Sequence, residues 1–303
     1  MLENLPAKFQ QTYFWFEEDF EHGPYSTWLG NYWHWSIYIS IAYLVTIFGL
    51  QRFMRDRAPL NLRAPLVMWS TGLALFSIIC AFRLAQNFVL FVRDYGWKAT
   101  ICDKRYSMDG VNGFWSMLFI WSKLPELGDT FFIVLRKQPL IFLHWYHHIT
   151  VFMYAWYSYP LIVAPGRYFV DLNALVHAFM YTYYALKASR LVRIPRQINI
   201  CLTLIQTSQM VVGCVINSLA WKFRAQGDVC ATTDNNIRVS LLMYFSYFIL
   251  FAHYFYKSYF TKKAPQKQKE AKNGIHQNGV HSNGAHQNGA SHYSNGKAPL
   301  KAD

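Results

Sequence analysis

The apolar residues of this 303-residue chain are gathered into runs of about twenty rather than spread periodically, and a run of that length as a helix matches the thickness of a hydrocarbon layer. The runs lie at 32–51, 66–92, 113–135, 139–160, 168–188, 198–221 and 237–260, separated by short stretches holding Arg, Lys, Asp, Gly or Pro. The pattern predicts an all-α integral membrane protein of about seven transmembrane helices in one domain over 32–260. Residues 1–31 lack a basic stretch followed by an apolar core. They carry Glu3, Glu17, Glu18, Asp19 and Glu21 instead, so no cleaved signal peptide is expected.

Net charge is +13, and its distribution predicts orientation, because Lys and Arg in short loops resist translocation. Arg52, Arg55, Arg57 and Arg63 follow the first run, Arg136 and Lys137 the third, and Lys187, Arg190, Arg193 and Arg196 the fifth. These loops are read as cytosolic. The segment 1–31, the loops 93–112 and 222–236 and the turn at Pro165–Arg167 fall on the other side, and the C-terminus is cytosolic. Cys102 and Cys230 lie in the non-cytosolic loops, whereas Cys80, Cys201 and Cys214 lie within runs. An oxidising compartment allows Cys102 and Cys230 to pair, but disulfide geometry is strict, so a pair and two loop thiols both remain open. Residues 261–303 carry five early lysines and then an Asn-Gly-His quasi-repeat, a composition that predicts a disordered basic tail.

Ionisable groups are costly inside a membrane and mark function there. His144, His147 and His148 form an HxxHH cluster on one helical face of the fourth run. At 1.5 Å per residue, His147 and His148 lie roughly 12–14 Å from the cytosolic start of that run, Gln206 roughly 12 Å, Glu126 and Asp129 roughly 9–14 Å, and His177 roughly 16 Å. Four helices thus offer polar groups to one layer. Lys123, Glu126 and Asp129, with Thr130, run down the third helix, which Pro125 should bend. Lys123 and Glu126 suit either an internal ion pair or the chamber itself, and Asp129 is expected to orient an imidazole. Met180, Tyr181 and Tyr184 continue the face of His177, and Thr203, Gln206 and Gln209 line the sixth helix. His253, His22 and His34 are read as structural.

Imidazole serves as a metal ligand, a general base or a nucleophile. The histidines are too few for two irons, although a single zinc held by the cluster and His177 is geometrically adequate. Without a metal, His147 or His148 can take an acyl group from a thioester. Lys187, Arg190, Arg193, Arg196 and Lys257 then offer charge-assisted bonds to the phosphates of a bulky carrier, although ordinary positive-inside charge accounts for most of them. A tunnel closed at its far end would measure chain length.

KLPELGDT at 123–130, LHWYHHIT at 143–150, HAFMYTYY at 177–184 and TLIQTSQ at 203–209 resemble, in order, the four signatures of the very-long-chain fatty acid elongase family, over roughly residues 30–260. HWYHH, with Trp145 and Tyr146, resembles the palmitoyl-type branch that extends saturated and monounsaturated chains. The resemblance implies an endoplasmic reticulum protein in which six of seven helices surround a closed acyl tunnel. It implies an acyltransferase, a 3-oxoacyl-CoA synthase that condenses acyl-CoA with malonyl-CoA, releasing carbon dioxide and CoA, with no cofactor and no metal. His147 would be the nucleophile and His177 would assist the second half-reaction. His144 and His148 would polarise, Glu126 and Asp129 would set imidazole orientation, and Lys123, Tyr181, Tyr184 and Gln206 would contact substrate. A lumenal disulfide of the family matches Cys102 and Cys230. Expected partners are the two CoA thioesters and the bilayer, with other enzymes of the elongation cycle and a second copy as further candidates, and no nucleic acid. Lys301 lacks the second lysine of a dilysine retrieval signal, so reticulum residence rests on the resemblance. The rivals are a histidine-box iron desaturase or hydroxylase and a seven-helix receptor or transporter.

Overall fold

The structure, a computed structural model, describes residues 13–108 and 110–261; the predicted disordered tail lies outside them from residue 262 onward. Among the described residues the regular structure is helical. The α-helices are α1 (Trp15–Glu18), α2 (His22–Tyr32), α3 (Trp35–Phe53), α4 (Arg63–Cys102), α5 (Gly110–Glu126), α6 (Asp129–Leu135), α7 (Phe142–Ser158), α8 (Gly166–Ser189), α9 (Arg196–Ala225) and α10 (Asp234–Tyr259). Hydrocarbon offers no hydrogen bonds, so backbone crossing it must satisfy itself, and helices do so within one segment. α3, α4, α9 and α10 are each long and apolar enough to cross a membrane by length and composition. The chain is an all-α membrane protein.

Loop contacts define two ends. At one, Leu60 N donates to Leu135 O at 3.0 Å, Lys137 Nζ to Arg55 O at 2.9 Å and Arg63 Nε to Ala188 O at 3.1 Å. This is the basic end. At the other, a disulfide joins Cys102 to Cys230, 128 residues apart. Ala231 N donates to Cys102 O at 2.8 Å and Ala164 N to Ala231 O at 2.7 Å. The α5–α6 pair, α7 and α8 run between the same two ends. α3 turns Trp35, Tyr38, Ile41, Val45 and Phe48 outward, as suits a helix whose outer solvent is lipid.

Two boundaries differ from the sequence reading. The second helix does not stop at residue 92 but continues to Cys102, interrupted at Gly96, whose φ of 76° is accessible to glycine at no steric cost. The third run is broken rather than merely bent. Pro125 has no amide hydrogen to continue the ladder, α5 ends at Glu126, and α6 restarts at Asp129. The carboxylates on either side of this break therefore leave in different directions.

Residues 13–34, ahead of the first long helix, are docked on the rest of the fold. Glu17 is fully buried and accepts from Arg83 Nε at 2.9 Å and Trp115 Nε1 at 2.7 Å. α1 lies so close to the start of α5 that a Cβ at Gly110 would stand 1.9 Å from Glu17 O. Only glycine fits there. Burial raises the pKa of the Glu17 carboxyl, but hydrogen bonds from Arg83, the Phe14 amide and Trp115 outweigh that and hold it below its ordinary value. Its stabilising contribution is therefore complete above the ordinary carboxylate range and lost as pH falls through the lower folded-state value. Glu17→Ala should cost about 3–5 kcal/mol by leaving Arg83 buried without its carboxylate. Melting curves of detergent-solubilised protein from about pH 7 to about pH 3 should show a smaller acid-induced loss for Glu17→Gln than for the parent.

Candidate active site

Three cavities follow one another from the basic end toward the disulfide. The outer one, about 800 Å³, opens among Asn61, Arg63, Arg136, Gln138, Lys187 and Arg190, with Asp129 in its wall. The middle one, about 170 Å³, holds His144, His147, His148, His177, Tyr181 and Gln206. The inner one, about 100 Å³, is mostly apolar and lies among α5, α7, α8, α9 and α10. Outer and middle cavities share His144, His148, Met180 and Tyr184. Middle and inner cavities share His147, Asn173, Gln209 and Met210. α3 contributes no lining residue to any of the three.

The four histidines predicted to share a layer do so. The rings of His144 and His148 are 4.4 Å apart between centroids and those of His147 and His148 5.7 Å, as their spacing on one face of α7 requires. His144 Nε2 and Thr130 Oγ1 are 2.9 Å apart, and the Tyr43 hydroxyl shares the same threonine oxygen. His147 faces Tyr247, 4.9 Å between ring centroids, and Tyr247 is itself fixed by a 2.6 Å bond to Thr150 Oγ1. His177 on α8 turns Nδ1 toward Glu126 Oε1 at 3.7 Å.

Lys123 and Glu126 form a buried ion pair. Lys123 Nζ donates to both Glu126 oxygens at 2.8 and 2.9 Å and to Asn173 Oδ1 at 3.0 Å, and Ser122 Oγ adds a 2.9 Å bond to Glu126. Lys123 is thus occupied by the protein and lines none of the three cavities, unlike the substrate contact expected of it. Asp129 also departs from expectation: its oxygens accept from Trp69 Nε1 and the Tyr181 hydroxyl, each at 2.7 Å, and not from an imidazole. The break after Glu126 explains this, since it turns Asp129 toward α4. Gln206 stands in the chamber wall with Nε2 3.3 Å from Met180 Sδ.

The basic rim is differently composed from the sequence reading. Lys187 and Arg190 line the outer cavity, but Arg193, Arg196 and Lys257 do not; all three are exposed, with Arg196 over the Tyr259 ring. Arg63 and Arg136 take their place, brought in by the loops joined at Leu60 and Leu135. Asn173, Trp69 and Tyr247 were not singled out by sequence. Asn173 lies four residues before His177, on the same face, and that spacing could have revealed it; Trp69 and Tyr247 carry no local signal. His22, read as structural, lines the inner cavity. Among the described residues no three of His, Cys, Asp and Glu are grouped to hold a metal ion.

Comparison with known proteins adds to this geometry. The ELO (GNS1/SUR4) family matches residues 28–268. The chain is 48% identical over 246 residues to a Drosophila melanogaster protein named very long chain fatty acid elongase 6, covering 80% of this chain and 78% of that protein. Proteins of the same name from Gallus gallus and Homo sapiens are 46% and 45% identical over 243 residues, covering 80% of this chain and 91% of each.

Removing one partner of a buried pair strands the other, whereas replacing both by apolar groups is often neutral. Lys123→Met should therefore cost about 3–5 kcal/mol in thermal or denaturant unfolding. Adding Glu126→Leu should recover most of that loss.

Proposed function

The chain belongs to the GNS1/SUR4 (ELO) family, and we propose that as a fatty acid elongase it performs the condensing step: a long-chain saturated or monounsaturated acyl-CoA, in the palmitoyl range, joins malonyl-CoA to give 3-oxoacyl-CoA, carbon dioxide and CoA. The observation that carries this reading is the position of His147 at the junction of the polar chamber and the apolar cavity. An acyl chain lying in the inner cavity has its carbonyl at that imidazole. Its CoA phosphates then fall in the outer cavity near Arg63, Arg136, Lys187 and Arg190, where charge-assisted bonds favour them.

His147 attacks the thioester carbonyl, the C–S bond breaks, and the imidazole proton leaves with CoA as its thiol, so that an acyl-imidazole remains. Malonyl-CoA then loses carbon dioxide. The carbanion attacks the acyl carbon and expels the imidazole, which recovers a proton. His177, faced by Glu126 at 3.7 Å, assists this second half, and the Glu126 carboxylate orients it. His144, held at Thr130, and His148 polarise the carbonyls, while Tyr184 and Gln206 in the chamber wall are the donors offered to an enolate oxygen, beside Tyr181, whose own proton is given to Asp129. Neither a metal nor a resident cofactor enters these steps. We place the protein in the endoplasmic reticulum membrane with seven spans, the disulfide end and N-terminus lumenal, and the basic end and C-terminus cytosolic. The concentration of Arg and Lys at one end and the disulfide at the other support that orientation.

Purified protein given palmitoyl-CoA alone should release CoA stoichiometrically and gain acyl mass, and later addition of malonyl-CoA should discharge it to 3-oxostearoyl-CoA. His147→Ala should lose the adduct and about 10³-fold or more of turnover. Product formed only when both thioesters are present, with no adduct, would make the histidines bases in a ternary complex. Bound iron with oxygen dependence would replace the reading by a desaturase. In the same assay Lys187→Ala with Arg190→Ala should raise KM for acyl-CoA about tenfold or more, whereas Arg193→Ala should leave it unchanged.

A further inference from the structure

The inner cavity does not end in hydrocarbon alone. At the disulfide end His22, Tyr106, Ser107, Tyr159 and Arg167 share its wall with Ile162 and Val163. His22 comes from α2, outside the long apolar runs, and its ring stacks on Tyr159 with centroids 4.9 Å apart. Tyr106 donates to Val163 O and Ala164 O at 3.2 and 3.1 Å. Arg167 is 1% exposed and lies with its guanidinium 4.7 Å from the Tyr106 ring centroid. Its Nη2 donates to Asn87, and its Nε stands 3.6 Å from Asp171 Oδ2. Two buried side chains here carry polar atoms without a hydrogen-bond partner in the protein: Tyr159 at its hydroxyl and Arg167 at Nε and Nη1.

Buried polar groups left unpaired by protein are satisfied by ordered water where a polar cavity has room for it. We propose that the far end of the acyl cavity is a polar, water-holding floor, and that the cost of stripping it, rather than a steric wall, sets the longest chain accepted. The proposal rests on the elongase reading above. Burying two more methylenes favours a longer chain by roughly fifteenfold, whereas stripping water from one buried polar group disfavours it by roughly five- to 150-fold. Two such groups outweigh one further round of elongation. Burial also holds the His22 imidazole below its ordinary pKa, so that it faces the cavity as a neutral donor and acceptor.

Isosteric removal of polarity separates this floor from a wall. The kcat/KM values for palmitoyl-, stearoyl- and arachidoyl-CoA would be measured on the full chain, its Tyr159→Phe and His22→Leu variants, and Val163→Ala, which widens the same end without removing a polar group. We expect the stearoyl-to-palmitoyl ratio to rise about tenfold in Tyr159→Phe, with His22→Leu moving it in the same direction and Val163→Ala changing it less than twofold. Should one polar variant fail to fold, the other carries the test. Unchanged ratios in the polar variants, or a rise confined to Val163→Ala, would overturn the floor and leave the elongase reading standing. Absence of any 3-oxoacyl product from the parent protein would overturn both.

Discussion

Lys123 and Glu126 are nearly inaccessible to solvent, 1% and 5% exposed at their side chains, and the candidate site is arranged around them. Taking two charges out of water costs several kcal/mol each, and their attraction repays it only when the remaining hydrogen-bonding capacity is also filled. Here Ser122 and Asn173 fill it, and the Phe119 face covers the ammonium at 4.0 Å. Because Asn173 belongs to α8, the pair also fixes how α8 is rotated against α5. That rotation aims His177, four residues further along α8, at the Glu126 carboxylate. A charge pair that could have been mere internal ballast thus sets the direction of an imidazole.

The break immediately after the pair divides two carboxylates that sequence spacing alone would place together. In an unbroken helix Glu126 and Asp129 share a face. With the chain turned at Leu127 and Gly128, Glu126 stays with Lys123 and His177, while Asp129 goes to Trp69 and Tyr181. The apolar runs, the HxxHH cluster and its common depth with His177 and Gln206 were legible in the sequence, because hydrophobic run length and helical spacing are local properties. Pro125 signalled a bend, but how far the chain turned there depended on packing against Trp69 of α4. The basic rim was half legible for a similar reason. All its cations were visible, but only loop contacts decide that Arg63 and Arg136 face the opening while Arg193, Arg196 and Lys257 do not.

The N-terminal segment was the least legible part. Its acidic residues spoke only against a signal peptide, yet Glu17 is the buried partner of Arg83, and no local pattern could pair residues 66 positions apart. The docking of α1 and α2 through that contact and through Gly110 brings His22 to the cavity. A histidine read as structural, outside the apolar runs, lines the interior because the segment carrying it folds back.

The outer cavity opens among basic residues, and the three cavities meet one another around the histidines. In the proposed reaction the charged CoA end enters and leaves by that basic opening. Substrate and product of the proposed reaction must use it in turn, so a chain lengthened by two carbons has to withdraw past His147 before another can enter. On the proposed reaction each round is then a separate visit, which makes elongation distributive. The lengthened chain competes for readmission with every shorter one in the membrane, so the spread of products depends on the composition of the acyl-CoA pool as well as on the depth of the cavity.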